Sequence, residues 1–148
     1  SRSQEARLAD WDEIDLQKKI WRQPKGKYKS KKLDWDIPLC PTAIKILKAQ
    51  PNYKRQQGRI FSTLDGGELY SAALSSIHDA LGFDAVAHGF RGTFKSYCME
   101  KGVNDEVSEL SLKHAETTST RAACAKNQLI KPRTKLIKEY EQFAMGAK

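Results

Sequence analysis

Cysteine is scarce and poorly arranged for crosslinking: Cys40, Cys98 and Cys124 are an odd number, widely spaced, with no Cys-x-x-Cys pair. This pattern excludes a disulfide framework and a zinc site, and it fits reduced thiols in a cytosolic protein. No apolar run approaches the length of a membrane span and no signal-peptide pattern opens the chain, so no membrane partner is expected. The first residues are Ser1-Arg2 without Met, which points to a fragment or a processed protein. No acidic cluster with metal-ligand spacing stands out, which argues against a two-metal nuclease; neither metal nor cofactor is expected. Internal repeats and low-complexity segments are also lacking.

Acid is missing locally as well. Lys18 to Lys32 holds eight Lys/Arg and no Asp or Glu, and Lys113 to Lys138 holds seven against Glu116 alone. With a net charge of +8, two such patches suggest a polyanionic partner, most often nucleic acid. A solvated lysine-rich surface is the plainer reading of charge alone. The remaining composition, 39% hydrophobic and 30% charged over 148 residues, is that of one globular domain able to bury a core.

The periodicities predict a mainly α protein with a small three-stranded antiparallel sheet near the N-terminus. Arg2 to Asp10 has a helical pattern. Trp11 to Leu16, Lys19 to Pro24 and Leu33 to Leu39 read as strands, the last two joined by a basic hairpin tip, Lys25 to Lys32. Pro41 opens a helix through Gln50 with Ala43, Ile44 and Leu47 as its apolar stripe. Arg59 to Ser62 is a brief extended piece, and Glu68 to Leu81 reads as a helix stopped by Gly82. A helix from about His88 to Lys101 places Phe90, Phe94, Tyr97 and Cys98 toward the core. Gly102 ends it and Asn104 caps the next helix, which carries His114 at its end. A short helix then bears Arg121 and Cys124. A last helix from Pro132 shows Leu136, Tyr140, Phe143 and Ala144 on one face.

Chemistry concentrates between His88 and Cys124. His88-Gly89-Phe90-Arg91-Gly92-Thr93-Phe94 sets a His and an Arg three residues apart on one helix face. Leu112-Lys113-His114 and Thr120-Arg121-Ala122-Ala123-Cys124 follow. A lone His-x-x-Arg arises often by chance, and Arg91 in a structural salt bridge is its ordinary explanation. Arginines, a lysine and two histidines around one pocket would instead grip a phosphodiester and stabilise charge developing at phosphorus.

Taken together these motifs resemble the catalytic domain of the tyrosine recombinases, closest to the integrases of prophages and genomic islands, over essentially the whole chain (1–148). Arg2-Ser3-Gln4-Glu5 resembles the Arg-Pro-Gly-Glu that carries the family's first catalytic arginine. Trp11-Asp12-Glu13-Ile14-Asp15 is similar to its Trp-x-x-Ile-Asp strand. Tyr28-Lys29-Ser30 falls where the hairpin lysine sits, with Lys31 as runner-up because hairpin length varies. The resemblance implies that Arg2, Arg91 and His114 bind the scissile phosphate, that His88 is an acid/base, and that Lys29 protonates the leaving 5′ oxygen. Lys25, Lys27, Lys31, Lys32, Lys113 and Arg121 are the expected DNA contacts. Lys113 departs from the small residue that the family's Leu-Gly-His or Leu-Ala-His box has before its histidine.

The larger departure is Cys124, which occupies the position of the nucleophilic tyrosine. A thiolate in a basic pocket is reactive, but its shorter side chain does not reach where a tyrosine hydroxyl would, and in-line geometry is strict. The expectation is a form impaired in cleavage, or one in which another tyrosine substitutes; Tyr140 and Tyr97 lie on core-facing stripes. The family also implies site-specific integration and excision of DNA through a covalent 3′-phosphoprotein, acting on double-stranded attachment sites. It implies a tetramer on DNA, a monomer or weak dimer off it, and DNA-bending accessory proteins. The N-terminal DNA-binding domains of the family are expected to lie outside this chain, and the setting is bacterial, cytoplasmic and nucleoid-associated. A non-catalytic DNA-binding relic using the same basic face is the competing reading.

Overall fold

The computed structural model describes residues 2–28, 33–82, 89–114 and 129–146. Within these the chain is mixed helical with a three-stranded antiparallel sheet, as the periodicities predict. It opens with helix α1 (Ser3–Arg7), a 3₁₀ turn (Trp11–Glu13) and the short strand β1 (Ile14–Asp15). Strands β2 (Ile20–Gln23) and β3 (Trp35–Pro38) complete a sheet of order β1-β2-β3.

Alternation along β2 sets its faces. Trp21 and Gln23 are buried while Arg22 points outward, where it forms a two-bond pair with its register partner Asp36 at 2.9 and 3.2 Å. Trp21 and Trp35 are both buried; Trp11, Tyr28, Leu39, Leu47, Ala9 and Ile60 close the first core around Trp21. Helix α2 (Pro41–Lys48) seats Leu47, Ala43 and Ile44 on this core, with Pro41 in the first turn where its missing N–H costs nothing.

Helix α3 (Ala73–Ala80) begins five residues later than the expected start at Glu68. The cause is tertiary. Glu68 bridges Ser62 in an extended pairing, and Arg7 binds both the Glu68 carboxylate and the Leu69 carbonyl, so the stretch is held open before the helix begins. Gly82, with φ +69°, follows its end as anticipated.

The C-terminal part is a helical layer: α4 (Gly89–Glu100), α5 (Asp105–Leu112) and α6 (Ile130–Ala144). Asn104 caps α5 by accepting from the amides of Glu106 and Val107 at 3.0 and 3.3 Å. Phe94, Tyr97, Cys98, Leu112 and Leu136 form the second core, and Tyr140 meets Phe94 and Tyr97 edge-on at centroid distances of 4.9 and 5.3 Å. Both tyrosines therefore pack as core residues. Phe90, expected on the same stripe, is 55% exposed; the stripe is buried only from Phe94 onward.

The two cores are joined through β3. Trp35 packs with Leu110 of α5, and the Arg133 guanidinium of α6 lies 5.3 Å from the Trp35 ring centroid. Arg133 is fully buried, and that burial pushes its pKa down to about 10 against a small opposing pull from Asp36. No helix among the described residues is long and apolar enough to cross a membrane.

Candidate functional site

The site is built where the C-terminal end of α5 meets the start of α4 and the N-terminus of α1. Helix α5 closes in a Schellman motif: the His114 amide donates to the Glu109 carbonyl at 3.0 Å and the Lys113 amide to the Leu110 carbonyl at 3.2 Å. This geometry requires a left-handed residue at 113, and Lys113 adopts it with φ 59°. A left-handed conformation costs a side-chain-bearing residue about 1–2 kcal/mol, which gives a physical reason for glycine there. Lysine is held nonetheless because its ammonium is useful below the surface. Lys113 Nζ donates to Glu5 Oε2 at 2.7 Å and also to the Gln23 side-chain oxygen, with 8% of the Lys113 side chain exposed.

The same cap turns His114 toward α4. Arg91 Nη2 lies 2.9 Å from His114 Nε2 and donates to the Leu112 carbonyl at 2.6 Å. His114 Nδ1 lies 3.0 Å from Glu109 Oε2. Glu109 in turn accepts from Lys95 at 2.6 Å, and Lys95 also reaches Asp105 at 2.8 Å and Ser108 at 2.9 Å. The bond from Lys95, outweighing partial burial, holds the Glu109 carboxyl below its ordinary pKa, and the hydrogen bond with His114 adds to the effect.

Arg2 enters from the other end of the chain. Its amide donates to Glu5 Oε2 at 2.8 Å, the same oxygen that receives Lys113. Burial first, and then the charge of Arg2, depress the Arg91 guanidinium below its usual pKa, while Glu5 opposes both. Two arginines close enough to repel, beside an exposed imidazole edge, make a locus that favours an anion.

The structure thus brings Arg2, Arg91 and His114 together. Lys29, Lys31, Lys32, His88, Arg121 and Cys124 lie outside the described residues. Two of the expected DNA contacts turn inward instead. Lys113 is the buried strut just described. Lys27 binds Asp10 at 2.7 Å and the carboxylate of Glu13, with 23% of its side chain exposed. Lys25 is exposed, its amide fixed to Asp34 at 2.9 Å.

Three carboxylates that the spacing had not flagged, Asp10, Asp12 and Glu13, do converge, their nearest ligand atoms within 4.8 Å of one another. Lys27 and Arg59 already lie on them: Arg59 Nη1 donates to Asp10 at 2.7 Å, and Glu13 also accepts from Trp21 Nε1 and the Tyr28 hydroxyl at 2.7 and 2.9 Å. Asp10 and Glu13 read as part of a structural network, while Asp12 beside them is exposed. Glu109, Lys95 and Glu5 were missed as site residues. A faint signal existed for Glu109, one helical turn before the box that ends in His114.

Two curated proteins are similar to this chain. Prophage integrase IntA of Escherichia coli strain K12 is 26% identical over 153 aligned residues, covering 99% of this chain. The integrase of Enterobacteria phage P4 is 30% identical over 140, covering 82%. The chain is related to the phage integrases. It spans about a third of the length of these relatives, 36% and 32% respectively. No family model matches this integrase relative. No solved structure matches it either.

Proposed function

We propose that the chain is the catalytic domain of a tyrosine recombinase, a class that cuts and rejoins double-stranded DNA at attachment sites of a mobile element in a bacterial cell, and that this form is impaired in cleavage because Cys124 stands at the nucleophile position. The observation that carries this reading is the meeting of Arg91 with His114 beside Arg2. These residues come from three places in the sequence, and the family resemblance assigned all three to one phosphate. In this reading Arg2 and Arg91 bind the scissile phosphate and His114 donates to one of its oxygens. His88 acts as acid/base, and Lys29 protonates the departing 5′ oxygen. The residue at position 124 supplies the nucleophile. A tyrosine oxygen there would form the bond to phosphorus as the P–O5′ bond breaks, leaving a 3′-phosphoprotein and a free 5′ hydroxyl. Four protomers would assemble on two sites, completed by DNA-binding domains outside this chain and by DNA-bending accessory proteins.

Cys124 favours a second reading, a DNA-binding relic that retains the basic face without the chemistry. A nicked suicide duplex carrying the attachment site separates the two. The expected result is that Cys124→Tyr traps a covalent protein–DNA complex, that the parent chain traps less than about a tenth as much, and that adding Arg91→Ala abolishes trapping. Failure of Cys124→Tyr to form any covalent complex would leave the relic reading.

A further inference from the structure

Hydrogen-bond chemistry at Arg91 and His114 fixes more than their proximity. A guanidinium can only donate. Its Nη2 carries two hydrogens, and its two partners are the Leu112 carbonyl at 2.6 Å and His114 Nε2 at 2.9 Å. His114 Nε2 must then be an unprotonated acceptor. The ring proton therefore sits on Nδ1, directed at Glu109 Oε2 at 3.0 Å. In this state His114 is neutral and presents no N–H to an incoming phosphate oxygen.

A phosphodiester oxygen cannot replace Arg91 opposite that nitrogen, because a lone pair would face a lone pair. We propose that a bound phosphodiester draws the Arg91 Nη2–H away from His114 and that His114 then takes up one proton from water at Nε2, becoming a donor to the phosphate. Glu109 is the positioning residue of this exchange. It keeps Nδ1–H pointed away from the phosphate and faces the imidazolium with a carboxylate. Lys95, on the other Glu109 oxygen, fixes the orientation of that carboxylate. Among the described residues, the charged groups around the imidazole are Arg91 from α4 and Glu109 from α5, with Lys95 behind Glu109. Arg2 and Glu5 from α1 act on Arg91, and the Lys113 ammonium is turned away onto Glu5. The site thus binds phosphate with a linked proton and rests self-satisfied without it.

This inference rests on the phosphate-site reading above. Its test is nitrogen-15 NMR of chain labelled at histidine and arginine, alone and saturated with a 20-base-pair duplex near pH 7.5. Expected for the free chain is the Nδ1–H tautomer of His114, and for the complex an imidazolium. Calorimetry in two buffers of different ionisation heat should show proton uptake that disappears in His114→Gln. With Glu109→Gln the bound imidazole should hold its proton about tenfold less tightly, while an equally stable fold excludes a merely structural effect. A free-state Nε2–H tautomer, or a bound His114 whose signals shift but stay neutral, would overturn this inference alone. Duplex binding that leaves both Arg91 and His114 signals unmoved would overturn it together with the phosphate-site reading.

Discussion

Lys113 Nζ stands 2.7 Å from Glu5 Oε2 although the two residues are 108 positions apart, and the same oxygen accepts the amide of Arg2. One buried ion pair therefore ties the end of α5 to the start of α1, and with it the His114 cap to Arg2.

Breaking that pair from one side leaves a carboxylate buried at 5% side-chain exposure. Lys113→Met should lower stability by about 3 kcal/mol, read as a fall in the denaturant midpoint. Lys113→Gly should lose the same pair but recover about 1 kcal/mol by relieving the left-handed backbone.

Salt dependence of binding to a 30-base-pair duplex distinguishes strut lysines from DNA contacts. Lys25→Ala should reduce the slope of log K against log salt by about one, as removal of a phosphate contact does. Lys113→Met should leave the slope unchanged, because its ammonium is turned onto Glu5. A drop of one for Lys113→Met would put that lysine on DNA.

Glu13 gathers the Trp21 indole, the Tyr28 hydroxyl and the Lys27 ammonium at 4% side-chain exposure. Glu13→Ala should cost about 3 kcal/mol or more, since three donors lose a common acceptor. Tyr28→Phe removes one of them and should cost about 1–2 kcal/mol. Thermal melts of the two variants check the order.

Acid should destabilise the fold through two carboxyls. Burial raises Asp10, but Lys27 and Arg59 more than offset it and hold it below its ordinary pKa; Lys95 does the same for Glu109. Groups depressed in the folded state contribute stability that is complete above the unfolded value. That stability is lost as pH falls through the folded value, here below about pH 4. Asp10→Asn should flatten the loss in that window in a pH series of urea midpoints.

Arg133 is buried at 0% exposure over Trp35. Arg133→Ala should cost about 3 kcal/mol through the lost stacking and the cavity left between β3 and α6. A midpoint within error of the parent would show that the contact contributes nothing.

Much of this was legible in the chain. The sheet followed from alternation around Trp21 and Trp35, helix limits from Pro41, Gly82 and Asn104, and the second core from the 3.6-residue spacing of Phe94, Tyr97 and Cys98. Arg133 was harder: it lies on the stripe of Leu136 and Tyr140, where an apolar residue is the norm. The late start of α3 was not legible, because contacts made in the folded chain at Glu68 and Leu69 override local propensity there. Nor was the exposure of Phe90, since helical periodicity says which residues share a face and not where the covering layer ends.

Local chemistry by itself determined which elements form, and the motifs single out Arg2, Arg91 and His114 from the order of residues alone. Periodicity and capping act over a few residues, so they are written in the order of the chain. Tertiary structure alone decided which basic groups are spent internally. Lys27 and Lys113 look like surface charge in the sequence, yet each finds a buried carboxylate supplied by a distant segment. On the inference above it also sets the tautomer of His114, because a proton's place on an imidazole depends on the donor and acceptor that folding brings to its two nitrogens.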